Sequence, residues 1–389
     1  MLYSEKTNPL LLRQYQSLDT PFLSVDKQLM LKNLARLRSK TEALGAELRP
    51  HFKTVRALEA VEHLLPQKTS AITVSTVKEA EALAGEGYTN IVYAVGISEG
   101  KLPRIEQLIA KGAQVRVLLD TVEQAQFVSQ YCKLHSCVIP AMIEVDCDGH
   151  RGGIHPDAPL LIEIANILHQ GAASLHGVLA HAGESYLCFD PESLVEAANN
   201  EVNMTLKAAN NLRAAAIPCD IVSIGSTPTA HSYQDLTGIT EVRAGVYGFF
   251  DLVMTGIGVC RIKDIAASVV TTVIGHNREK GWIFIDAGWM ALSLDRGTSG
   301  QPKDCGYGLV TDCNGTLLDG LQVITVNQEH GIIASVGNDD GINFDDFPVG
   351  SRLHILPNHG CATASMHQHY HVFDTVDETY EIWNRIQGW

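Results

Sequence analysis

The sequence predicts an α/β fold: a parallel (β/α)8, TIM-like barrel followed by a mostly β C-terminal domain. Three observations predict it. From Pro21 to about Phe250, short runs rich in Val and Ile alternate with segments whose apolar residues recur at three- and four-residue spacing. After about Thr255 the helical pattern nearly vanishes, and strand-like runs separated by Gly-Asn-Asp turns take over. At 389 residues the chain is long enough for a large barrel and a second domain.

The elements follow in order. Residues 20–26 form an apolar, strand-like opening, and a long amphipathic segment follows it. Residues 71–74, 91–94, 114–119, 140–145, 175–180 and 220–223 read as strands buried on both faces, being short, apolar and only weakly alternating. Residues 77–85, 101–111, 122–131, 159–169 and 191–215 read as the helices between them. Repeated β-then-α units of this size imply a parallel barrel whose site is built at the strand C-termini. Residues 259–274, 281–286, 321–326, 331–336 and 352–356 read as strands of the second domain. The expected division is 20–255 for the barrel and 256–389 for the β domain, with residues 1–19 packing on the latter.

Composition narrows the function classes. Lys+Arg 29 against Asp+Glu 44 gives a net charge of -15, which argues against nucleic acid or an anionic membrane as partner. No apolar run reaches the roughly 18 residues of a membrane helix. The polar first sixteen residues lack a secretory h-region. Nine cysteines, with no C-x-x-C spacing, read as reduced thiols of a cytosolic (cytoplasmic) protein.

Four stretches carry chemistry. In Arg49-Pro50-His51-Phe52-Lys53-Thr54 a lysine sits at the predicted end of a strand, where partial desolvation favours the free amine that attacks carbonyls. Gly225-Ser226-Thr227-Pro228-Thr229 follows a strand and offers the N–H groups and short hydroxyls that a phosphate needs. Arg243-Ala244-Gly245-Val246-Tyr247-Gly248 reads as a second phosphate clamp, with Gly245 allowing close approach and the N–H groups of Gly245 and Val246 as donors. In Pro357-Asn358-His359-Gly360-Cys361, His359 and Cys361 share a face if the segment is a strand. An imidazole and a thiolate suit Zn2+ better than Mg2+ or Ca2+, and two protein ligands leave positions open for water or substrate. His367, His369 and His371 alternate downstream and read as a polar strand face.

Taken together and in this order, these stretches resemble the fold-type III pyridoxal phosphate (PLP) enzymes, the alanine racemase-like barrels. Within them the chain looks most like the D-serine dehydratase and D-threonine aldolase group, over residues 20–371. The resemblance implies that Lys53 tethers PLP and that Gly225, Ser226, Thr227, Gly245, Val246 and Tyr247 surround its phosphate. It implies Arg243 at the pyridine nitrogen. Asp146-Cys147-Asp148-Gly149-His150-Arg151 resembles a family element that places Arg151 near the phenolic oxygen; the role of His150 stays open. From His181-Ala182-Gly183-Glu184-Ser185-Tyr186 it implies Tyr186, with His181 second, against the cofactor ring. His330 would contact substrate or a metal-bound water, and Asp286-Ala287-Gly288 is a structural turn.

The expected activity is therefore a PLP- and zinc-dependent dehydratase of D-3-hydroxy amino acids such as D-serine, D-threonine or D-threo-3-hydroxyaspartate. Lys53 would take the Cα proton, and zinc on His359 and Cys361 would stabilise charge on the leaving oxygen. A D-threonine aldolase is the alternative. The resemblance assigns His-x-Asp to aldolases and His-x-Cys to dehydratases, and this chain has the cysteine. A racemase comes third. A non-catalytic PLP-binding protein is the reading from another class. A homodimer is also implied, the β domain of one chain completing the other's site.

Overall fold

The computed structural model describes residues 8–337 and 341–389. It contains seventeen strands: β1 Phe22–Asp26, β2 Glu47–Pro50, β3 Ile72–Val74, β4 Asn90–Gly96, β5 Gln114–Leu119, β6 Pro140–Val145, β7 Ser174–Ala180, β8 Ile221–Ile224, β9 Glu241–Ala244, β10 Ala267–Asn277, β11 Trp282–Ile285, β12 Gly308–Thr311, β13 Leu317–Val326, β14 Gly331–Ser335, β15 Arg352–Pro357, β16 His369–Asp374 and β17 Thr379–Asn384. They form two sheets.

The eight-stranded sheet runs β2-β9-β8-β7-β6-β5-β4-β3, and its strand pairs are parallel. A bridge from His51 to Thr73 joins its first and last strands and closes the ring. This is the predicted α/β barrel. Val92, Leu118, Met142 and Leu179, one from each of four successive strands, make a buried cluster. The helices Val77–Gly85, Leu102–Ala110, Val122–His135, Pro159–Gln170 and Pro191–Ala214 lie where the three- and four-residue spacing puts them. Their starts are chemically marked: Thr76, Thr121 and Asp190 accept N–H groups of the first turn, and Thr121 with Gln124 forms a capping box.

The nine-stranded sheet runs β11-β14-β13-β12-β15-β10-β1-β16-β17, with β11 also pairing with β10. It is mostly antiparallel, as short turns allow, but β1 and β16 run parallel. The helix Pro9–Ser17, capped by the Asn8 side chain, buries Leu11 and Tyr15 with Phe22, Val270 and Phe373. Residues 1–7 of the opening segment lie outside the described residues.

Backbone contacts divide the chain into two compact units. One holds the described residues up to Ala35 together with Val246–Arg385; the other holds Arg36–Gly245 and Ile386–Trp389. Three details differ from the sequence expectation. The opening strand β1 belongs to the mixed sheet, where Phe22 and Leu23 pair with Val270 and Val269, so the barrel begins at β2. The eighth barrel strand is β9, which periodicity overlooks because Glu241 and Arg243 interrupt it; both are buried there among polar partners. The expected strand over 259–274 starts only at Ala267, since Asp264 accepts the Arg261 N–H and holds residues 262–264 in a 3-10 turn. Among the described residues no helix is long and apolar enough to cross a membrane.

Candidate active site

In the barrel unit the functional side chains gather where strands end. β2 stops at Pro50, and Lys53 stands in the turn beyond it. Buried Phe52 and Thr54 anchor that turn, while Lys53 itself is exposed, so the partial desolvation expected from its neighbours is not found at the lysine. Its backbone N–H points at Nδ1 of His51, 3.4 Å away. Burial, then the charges of Lys53 and Arg243, hold His51 well below the usual imidazole range, so it is neutral.

Gly245, just past β9, lies beside the lysine. A Cβ there would stand 3.4 Å from Lys53 Cε and 3.4 Å from Thr54 Oγ1, so the glycine keeps the backbone open toward the amine. Its N–H reaches Thr227 Oγ1 at 3.3 Å, linking the two predicted phosphate turns. Gly225 adopts φ +138°, and a Cβ there would overlap the Arg243 carbonyl oxygen at 2.0 Å, so only glycine fits. Ser226 caps the short helix Thr227–Ala230; its N–H goes to Thr229 Oγ1 and its hydroxyl contacts Thr229 and Ser185. Gly225 N–H and Ser226 N–H thus have protein acceptors. The Thr227 hydroxyl, which accepts from Gly245, still has its own proton to donate.

One residue that the sequence reading missed holds this region together. Glu201, fully buried on the helix Pro191–Ala214, accepts the Ala182 N–H at 3.0 Å and the Gly225 N–H at 2.9 Å through Oε1. Its Oε2 accepts the Tyr233 hydroxyl at 2.5 Å. One carboxylate therefore ties the loop after β7 to the loop after β8. Burial raises its pKa, and the Tyr233 and Gly225 hydrogen bonds work against that shift. Only the folded chain brings Glu201 to these loops; its sequence neighbours carry no signal.

The remaining barrel candidates separate into buried and exposed. Arg243 is buried, its guanidinium donating to Ser223 Oγ at 2.6 Å and to the Ala180 carbonyl. His181 donates from Nδ1 to the Gly225 carbonyl at 2.9 Å, which leaves Nε2 as its acceptor. Burial pushes its pKa down to about 3, so the ring is neutral. Tyr186 is half-buried, its ring 6.5 Å from that of His181. Arg151 is exposed and 3.5 Å from Glu144. His150 packs over Gly183 and meets Glu184 Oε1 at 2.9 Å, latching two loops together.

In the other unit, Val246 and Tyr247 are buried in the turn Val246–Gly248, which follows immediately on Gly245. His359 and Cys361 do not lie on a strand: β15 ends at Pro357, His359 caps the helix Gly360–Ser365, and Cys361 is in its first turn. The chain turns there because buried Asn358 binds Thr298 and the Gly306 carbonyl, while Asp251 accepts the Gly360 N–H at 2.7 Å. The two side chains nevertheless meet in a hydrogen bond. His359 Nδ1 lies 2.7 Å from Asp295 Oδ2. Burial opposes the charge on this ring, but the bonds to Asp295 and Cys361 outweigh it and lift its pKa to about 11. Among the described residues no group of three or more His, Cys, Asp or Glu side chains converges as a metal cage. What the structure offers is a two-donor pair, Nε2 and Sγ, oriented by Asp295 from behind.

His330 is exposed on the turn between β13 and β14, where its carbonyl closes the hairpin with Asn327 N–H. The three downstream histidines come together around one surface pocket, with the rings of His369 and His371 5.0 Å apart on β16. His367 bonds the Ala291 carbonyl ahead of β16, His369 is exposed, and His371 is buried against Phe22 with Nδ1 on the Tyr380 hydroxyl.

Comparison with known proteins bears on both units. Residues 25–252 match the alanine racemase N-terminal domain, and residues 266–373 match a serine dehydratase domain. The D-threo-3-hydroxyaspartate dehydratase of Delftia sp. (strain HT23) is 45% identical over 96% of this chain and 98% of its own. A solved structure of the Delftia enzyme superimposes with a TM-score of 0.93 at 44% identity, covering 96% of this chain and 99% of that one. Solved variants of that enzyme replace a histidine or a cysteine by alanine, the cysteine variant being in the metal-free form. An Ala racemase-like protein from Idiomarina loihiensis gives 0.93 at 48% identity, over 96% and 99%. The D-serine dehydratase of Dictyostelium discoideum is 27% identical over 96% and 98%.

Proposed function

The chain belongs to the alanine racemase N-terminal domain family, among its fold-type III PLP lyases, and from that premise we propose that it dehydrates D-3-hydroxy amino acids, D-threo-3-hydroxyaspartate first among them. The observation that carries this reading is the 45% identity to a D-threo-3-hydroxyaspartate dehydratase across both units, against 27% to a D-serine dehydratase.

The residues fit the cofactor. The glycine cradle at Gly245 leaves room beside Lys53, and the joined turns at Gly225 and Gly245 provide the Thr227 hydroxyl for a phosphate. Lys53 would anchor the cofactor and take the proton from Cα. Arg243, fixed by Ser223 and Ala180, would hold the pyridine nitrogen side of it. Arg151 would hold the phenolic oxygen side; Tyr186 and neutral His181 would hold the ring. Val246 and Tyr247 would extend the phosphate clamp. His359 and Cys361 fit a thiophilic divalent ion, zinc in our reading, because the imidazole is already oriented by a carboxylate and the thiol touches it. When bound, PLP supplies the electron sink for the Cα carbanion, and zinc the Lewis acid for the departing hydroxide. His330, exposed on its turn, would serve substrate or solvent.

The test is a product assay on PLP- and zinc-loaded protein with D-threo-3-hydroxyaspartate, D-serine and D-threonine. Ammonia and 2-oxo acid, lost on chelation and restored by zinc, support the reading; the fastest substrate names the specificity. Glycine with glyoxylate or another aldehyde would make the protein an aldolase.

A further inference from the structure

We propose that Cys132 and Cys137 form a reversible dithiol–disulfide pair, a covalent modification site outside the catalytic machinery. The helix Val122–His135 ends in a left-handed residue, Ser136, at φ 53° and ψ 39°. The next N–H, that of Cys137, returns to the Cys132 carbonyl at 3.1 Å. This is the six-to-one bond of a Schellman ending, which brings the side chain three places before the cap against the one just after the turn. Ordinarily two apolar groups meet there. In this chain both are cysteines, so the Schellman turn brings two thiol side chains together. Cys132 is buried, Cys137 half-exposed, and both are free thiols.

That asymmetry sets an order of events. A low-molecular-weight disulfide such as oxidised glutathione reaches Cys137 first. The Cys137 thiolate attacks one of its sulfurs, forming a mixed disulfide and releasing one glutathione thiolate. Cys132 then attacks the Cys137 sulfur, forming the protein disulfide and releasing the second. The two thiol protons pass to the two leaving thiolates; both cysteines are oxidised and the glutathione disulfide is reduced. Burial raises both thiol pKa values, that of Cys132 to about 11, so the reaction is slow at neutral pH and accelerates about tenfold per pH unit below the thiol pKa. The disulfide would clamp the helix end onto the segment leading to β6.

The test is peptide mapping of the holoenzyme after oxidised glutathione at pH 8, with remaining thiols alkylated. Lys133 lies between the two cysteines, so trypsin places them on separate peptides, and a second cut at Glu144 separates Cys137 from Cys147. We expect the two peptides to appear joined, to separate on reduction, and both alkylation sites to be lost together. In Cys132→Ser we expect Cys137 to accumulate as the glutathione adduct. Two fully alkylated cysteines in the native protein, or a glutathione adduct persisting at Cys137 without cross-link, would overturn the proposal.

Discussion

Single residues divide the work, and each division predicts a separable loss. In the proposed function Lys53 is the amine that tethers the cofactor, whereas Glu201 holds the loops that carry His181 and Gly225. Lys53→Ala should therefore abolish turnover and the visible absorbance of lysine-tethered cofactor, while the fold, read by far-UV circular dichroism, is kept. Glu201→Gln keeps the shape but removes the charge from two hydrogen bonds to backbone N–H groups. Charge-assisted bonds exceed neutral ones by on the order of 1 kcal/mol, so PLP affinity should fall about tenfold with Lys53 intact. An unchanged dissociation constant, titrated by absorbance, would sink the idea that Glu201 positions the cradle. Cys361→Ala should lose zinc by metal analysis yet retain PLP; zinc retained at full stoichiometry would show that the thiol is not a ligand.

At the scale of elements, the sequence announces what local chemistry decides. The helix Val122–His135 was legible because its apolar positions repeat, and the capping box of Thr121 and Gln124 agrees with that signal. Thr121→Ala should cost about 1 kcal/mol, read as a lower denaturant midpoint with unchanged slope. A shift indistinguishable from zero would mean that the cap is replaced by water. Elements set by long-range partners were not legible. β9 looks like a charged loop until Arg49, 2.8 Å from Glu241, shows that its acid is paired inside the barrel. β1 has the residues of any buried strand, and only its register with β10 and β16 tells which sheet takes it. The His359-x-Cys361 pair was found by residue type, yet its geometry was misjudged: a buried asparagine turns the chain into a helix where alternation suggested a strand. Asp295, more than sixty positions upstream, has no local sequence signal at all.

For the whole molecule, the buried histidines set how stability depends on pH. His354, 8% exposed, lies between the Tyr15 hydroxyl and Ser268 Oγ, and burial pushes its pKa from 6.5 to about 4. His371, equally buried, is pushed to about 4 by burial and then by His369 and His367. Each folded ring stays neutral where the unfolded chain would bind a proton. Between pH 6.5 and 4 the unfolded state therefore holds more protons, and stability falls as pH falls. Each group contributes about 1.4 kcal/mol per pH unit across that window, and above pH 6.5 both contributions are fully present. The carboxylates follow at lower pH: Glu241 is buried, but Arg49 outweighs burial and holds its pKa below the usual range, so its ion pair persists after ordinary carboxylates have begun to protonate. Melting temperature should thus decline steadily from pH 6.5 to pH 4.5, before the carboxylates dominate. His354→Gln should be less stable at pH 7.5 but show a shallower decline, because one proton-binding difference is gone. A native protein whose melting temperature is flat between pH 6.5 and 5, or a His354→Gln variant with an equally steep slope, would show that these rings reach solvent and take up protons without unfolding.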